Sequence, residues 1–225
     1  MHMAQLLFQH NDLVPSEDDC RNKFVARQLF HTLAKQGRLS TFGFVEDNWS
    51  AQSNTLPSNS SAPNGSDSFR LCCDDFRPAN ILLNQDDNIL AIIDWDVYDM
   101  RLETWLSAME DAEESIEPDS LPFKLSTYMR ESWENGRFWL NYAARKSWAF
   151  DTVFWKYLDE RFFGTRERNV PEHELWKTRI DLLGEGERRA MEPFVKRKME
   201  ESKERILMDW NPAEAKKLVT EILLN

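Results

Sequence analysis

The 225-residue chain is poor in glycine, cysteine and basic charge, and each shortage excludes something. Three cysteines, an odd number with Cys72 and Cys73 adjacent, cannot build a disulfide framework. They point to a reducing compartment, and the expected location is cytoplasmic. Lysine and arginine total 28 against 39 acidic residues, a net charge of −11. Neither nucleic acid nor an anionic membrane is therefore an expected partner, because both select basic surfaces. No apolar run approaches the ~20 residues of a membrane span. The N-terminal "MHMAQLLFQHND" lacks the basic start and long apolar core of a secretory leader. Of the seven glycines, only Gly37, Gly43 and Gly65 precede residue 75, and none belongs to a G-x-G pair. The four histidines, His2, His10, His31 and His173, show no metal-ligand spacing.

What is abundant points to helices. Glu, Lys, Arg, Leu and Ala dominate, and nine tryptophans offer large core anchors. Residues 16–37 read as one helix, with Ser16 as cap, Asp19 three residues on, a Val25–Leu29–Leu33 stripe and Gly37 as the stop. Further helices are expected over 101–114, 124–146, 151–162, 172–183, 186–209 and 212–224, the last opened by Asn211–Pro212. Trp105, Trp133, Trp139, Trp148 and Trp155 fall on these patterns as core candidates. "VKRKMEESKER" (195–205) reads as a solvated helix face, and "LGEGERR" as a linker between helices. Between 50 and 68, Leu56 is the one large apolar residue among Ser, Asn, Pro and Gly, so a disordered loop is expected there.

The stretch "LCCDDFRPANILLNQDDNILAIIDWD" (71–96) breaks this helical character. Its short apolar runs "ILL" and "ILAIID" flank the turn-forming "NQDDN", a strand–turn–strand signal. Carboxylates beside buried strands are costly unless paired. Asp75 and Asn80 are five residues apart, and Asp94 ends the second apolar run. Phosphoryl transfer uses such a set: an Asp that orients a hydroxyl and accepts its proton, then an Asn and an Asp that hold Mg²⁺ against nucleotide phosphates. Hard oxygen ligands suit that ion. Cys72 and Cys73 read as small buried hydrophobes rather than reactive thiols.

These residues resemble the aminoglycoside phosphotransferase and choline kinase-like family, in its fungal branch. The family's H-x-D-x-x-P-x-N loop is matched by "CDDFRPAN" and its I-D-[WF]-[DE] motif by "IDWD". "QLLFQHNDLVPSEDDCRNKFVARQLF" and "ESWENGRFWLNYAARKSWAFDTVFWKYLDERFF" are similar to fungal members too. The resemblance implies Asp75 as the catalytic residue, Asn80 and Asp94 as metal ligands, and Asp96 at the acidic position after the Trp. It implies ATP and Mg²⁺ as cofactors and a small-molecule hydroxyl as acceptor. The implied fold is α+β but predominantly α: the C-terminal lobe of a protein kinase-like fold, with a small β-hairpin carrying both motifs. The expected divisions are a helical lead-in over 1–49, the loop 50–68, and the lobe over 69–225, comprising the hairpin 71–96 and a helical bundle 101–225.

Three departures bear on activity. Cys73 stands where the family has His. No Gly-rich loop or strand Lys precedes Asp75; Lys23 and Lys35 fall on the first helix. The family's "APxxF…PPWWLL" segment is missing after Asp96, where the chain runs into "VYDMRLETW". The chain therefore reads as N-terminally truncated and internally deleted. Two functions follow: a phosphotransferase with impaired chemistry, or a non-catalytic pseudokinase-type lobe whose exposed face is covered by a protein partner.

Overall fold

The computed structural model describes residues 3, 6, 14–56, 58–63, 81–83, 89–92, 102–115, 124–204 and 217. Its elements in chain order are α1 (Glu17–Lys35), β1 (Ile81–Leu83), β2 (Ile89–Ile92), α2 (Leu102–Glu114), α3 (Leu125–Glu134), α4 (Arg137–Arg145), α5 (Phe150–Val153), α6 (Asp159–Phe163) and α7 (Glu185–Glu204). A π turn, Phe154–Leu158, joins α5 to α6, and 3₁₀ turns cover Arg38–Ser40, Glu172–Thr178 and Ile180–Leu182. Helix dominates, as the composition suggests. Among the described residues no helix is long and apolar enough to cross a membrane.

The chain divides into two compact units, Met1–Asn59 with Asn135–Asn225, and Ser60–Glu134. In the second unit β1 and β2 pair antiparallel, Ile81 opposite Ile92 and Leu82 opposite Ala91, with a register shift at Leu83. Residues 84–88 between them lie outside the described set. Helices α2 and α3 are joined by Arg130, which donates to Glu103 at 2.9 Å and Glu110 at 3.1 Å. Glu113 accepts from both the backbone and the hydroxyl of Ser126 at the start of α3.

The first unit holds an apolar core around α1. Its N-terminus is capped as the sequence suggests: Asp19 N–H donates to Ser16 Oγ at 3.1 Å, and Glu17, Asp18 and Asp19 complement the helix dipole. Gly37 adopts φ +68° and its N–H closes on Ala34 O, ending the helix. Val25, Leu29 and Leu33 are buried, so the stripe is the core face. Phe24 packs on Phe194 of α7, Phe30 edge-on to Phe150 of α5, and Phe42 edge-on to Phe162 of α6. Fully burying one such side chain contributes ~2–3 kcal/mol.

Several local expectations are corrected. The helix expected over 124–146 is broken at Asn135–Gly136. Gly136 takes φ +82°, and Asn135 is buried as a bracket. The Asn135 amide donates to Gly43 O at 2.8 Å, its side-chain oxygen accepts from Arg137 N, and its carbonyl accepts from Gln52 at 2.7 Å. The expected disordered loop over 50–68 is tied down at its start. Ala51 and Gln52 N–H groups donate to Phe162 O and Arg161 O at the end of α6. Ser50 and Gln52 are buried, so polar residues here replace apolar burial with hydrogen bonds. Residues 64–68 lie outside the described set. The 172–183 segment forms 3₁₀ turns, interrupted at Arg179, which turns inward. On the face expected to be solvated, Val195 and Lys198 are buried. Trp148, expected in the core, is 73% exposed, whereas Trp155 is buried.

Candidate functional site

Asp75, Asn80, Asp94 and Asp96, with Cys72 and Cys73, all lie outside the described residues. The structure brings none of them to a described position. What it does describe, in the first unit, is a cleft and the charged scaffold behind it.

The cleft has a volume of about 630 Å³ and lies between α1, the 150–163 helical segment and the loop that follows. Helix α1 contributes Asp19, Asn22 and Lys23, which share one face at helical spacing. Asp151, Thr152, Trp155 and Lys156 come from the facing segment, Arg166 from the loop and His173 from the 3₁₀ turn beyond it. Asn22 straps the walls together. Its amide donates to Glu172 O at 3.0 Å, its side-chain oxygen accepts from Trp176 N at 2.8 Å, and its carbonyl accepts from the Trp155 indole at 3.3 Å.

Two buried ion-pair systems hold these walls. Arg27, inside the apolar run "FVARQLF", forks onto Asp151 at 3.0 and 2.6 Å, reaches Ser147 O and lies over the Phe150 ring. Its side chain is almost wholly enclosed, where a bidentate guanidinium–carboxylate geometry is needed to offset desolvation. Asp159, at 0% exposure, takes Arg179 Nε at 2.9 Å and Nη2 at 3.2 Å, and Arg166 Nη1 at 3.0 Å. Arg179 also donates to Gly164 O, and Arg166 to Trp155 O at 2.9 Å. Burial pushes the Asp159 carboxyl above its ordinary range, against the opposing pull of Arg179 and Arg166.

The π turn sets the position of that carboxylate. Asp159 N–H bonds back to Phe154 O, five residues away, in place of the usual four. Trp155 in this turn faces the cleft, and Tyr157 stacks face to face on Trp139 of α4 at 3.7 Å.

Three further groups could carry chemistry, and the structure assigns each a structural role. Asp18, His173 and Glu174 place ligand-type atoms within 4.8 Å of one another. Asp18 Oδ1 already accepts from Arg21 at 3.0 Å and from the Trp176 indole at 3.1 Å, and Glu174 Oε1 meets Lys177 Nζ at 2.5 Å. Oxygens held by cations and N–H donors do not suit a divalent ion. Burial pushes the Asp18 carboxyl up, but the Arg21 and Trp176 hydrogen bonds outweigh it and leave it below its usual range. Cys20 is fully buried and its thiol is pushed up to about 12 by that burial, so it is an inert core residue. Lys198 is buried beside Glu201 at 3.3 Å, and burial lowers its pKa.

Sequence reasoning missed Arg27, Asp159 and Asn135 as the organising polar residues. A signal was present for Arg27, a charge inside a largely apolar helical run, but not for Asp159, which stands among Lys156, Glu160 and Arg161. No family model, curated protein or solved structure matches the chain.

Proposed function

We propose that the chain is the C-terminal lobe of a kinase-like phosphotransferase for small-molecule hydroxyls, similar to aminoglycoside phosphotransferases and choline kinases, with its own phosphoryl transfer impaired. The observation that carries this reading is the motif set together with the strand register. "DFRPAN" leads into β1, "IIDWD" leaves β2, and the ladder pairs Ile81 with Ile92. In sequence Asn80 is one residue before Ile81 and Asp94 two residues after Ile92. That register is compatible with an Asn–Asp pair that shares one metal ion. Asp75 would orient the acceptor hydroxyl and take its proton, and Asn80 and Asp94 would hold Mg²⁺, which neutralises charge on the phosphates of ATP.

Impairment is supported by the glycines and lysines before the motif. Gly37 ends α1, and the Gly43 N–H donates to the buried Asp47 carboxylate at 3.0 Å. Both of these glycines are committed to local turns, and Gly65 lies outside the described residues. Lys23 lies on α1, 2.9 Å from Asp19, and Lys35 on its last turn, so neither has the strand context of a phosphate-binding lysine. Positioning and charge stabilisation supply most of phosphoryl-transfer catalysis, and both depend on those parts. The same placements favour a second reading, a non-catalytic lobe that works as an interaction module for a protein partner.

Nucleotide-dependent stabilisation and turnover separate the readings. No ATP-dependent phosphorylation of hydroxylated amines is expected from the 225-residue chain. Fusion to a kinase-like N-lobe with the missing post-"IDWD" segment should restore it, and Asp75→Asn in that fusion should abolish it. A nucleotide at a hundredfold excess over Kd would stabilise a true binder by ~2.7 kcal/mol, an effect that Asp94→Ala should remove. Robust turnover by the unmodified chain, sensitive to Asp75→Asn, would overturn the impairment. A fusion indifferent to both substitutions would overturn the kinase-like assignment.

A further inference from the structure

We draw no further inference here: the strongest candidate, the cleft of about 630 Å³ between α1 and the 150–163 helical segment, has its principal charged walls already matched within the chain, Lys23 by Asp19, Asp151 by Arg27 and Arg166 by Asp159, so nothing in it selects a class of ligand.

Discussion

Replacing Asp159 with alanine would strand two guanidinium groups. In the folded chain the Arg179 and Arg166 side chains are 10% and 17% exposed and the Asp159 side chain 0%. With the carboxylate gone, Arg179 keeps Gly164 O and Arg166 keeps Trp155 O and its longer contact to Glu160 at 3.6 Å. These carbonyls and the exposed Glu160 do not neutralise a buried charge. Removing one partner of a buried pair costs about 3–5 kcal/mol, a large share of the roughly 5–15 kcal/mol that holds a typical domain folded. For a chain of this size that lowers Tm by about 6–20 °C. The Asp159 side chain is fully enclosed, so the intact knot is held against a desolvation cost. Its net contribution is therefore small, and the loss on truncation comes from what it leaves uncompensated. Urea unfolding followed by both circular dichroism and tryptophan fluorescence measures the loss and checks two-state behaviour. The double variant Asp159→Ala, Arg179→Met should lose about 1–3 kcal/mol less than the sum of the singles. A single-variant loss below ~1 kcal/mol, or strict additivity, would refute the reasoning.

Four other outcomes follow. Gly43→Ala should destabilise clearly more than Gly37→Ala. Both have positive φ, but a Cβ at Gly43 would meet Arg137 Cγ at 2.9 Å and Asn135 Oδ1 at 3.0 Å, whereas at Gly37 it meets nothing within 4 Å; equal Tm losses would contradict this. Ser16→Ala should cost ~1 kcal/mol by freeing the Asp19 N–H, and Ser16→Asp should largely retain it, both read from urea midpoints. The Arg21 hydrogen bonds hold the Glu192 carboxyl below its ordinary 4.5, so their stabilisation is present above that pH and is lost as pH falls through the lower folded value. Wild type should thus lose more stability than Glu192→Gln below pH 4.5, by less than ~1 kcal/mol because Glu192 is largely exposed; parallel pH profiles would show that the pair contributes nothing. Protease at low dose should leave Ser50–Leu56 uncut, since its turn is bonded to α6, and early cleavage there would show that those bonds do not persist in solution.

Local features were the legible ones. The Ser16 cap, the Gly37 stop and the Val25–Leu29–Leu33 stripe each depend on residues within two or three turns, so periodicity and capping chemistry suffice to find them. The break at Asn135–Gly136 carried a turn signal in its own dipeptide, which the flanking helical periodicity concealed. Ser50–Leu56 was misread because its anchors, Arg161 and Phe162, are more than a hundred residues away and composition is blind to such partners. Arg179 interrupts an otherwise helical pattern for the same reason, drawn inward by a carboxylate on another segment. The phosphotransfer motif was legible as a pattern at 75, 80 and 94, but those positions fall outside the described residues. The described charge networks could not have been assigned to it, because each is closed on itself.

The π turn at Phe154–Leu158 has a consequence for chain length. It takes up one more residue than an α-helical turn would, and both flanks continue as helix. An α-helix advances by about 100° per residue. Excising one residue from the turn would make the bond from Asp159 N–H to Phe154 O an ordinary α-helical one, so Asp159 and Phe162 would keep their places, whereas an extra residue not taken up by such a turn would swing everything downstream by about that angle. The segment thus behaves as a helix that has taken up one extra residue locally and kept the phase of everything beyond it.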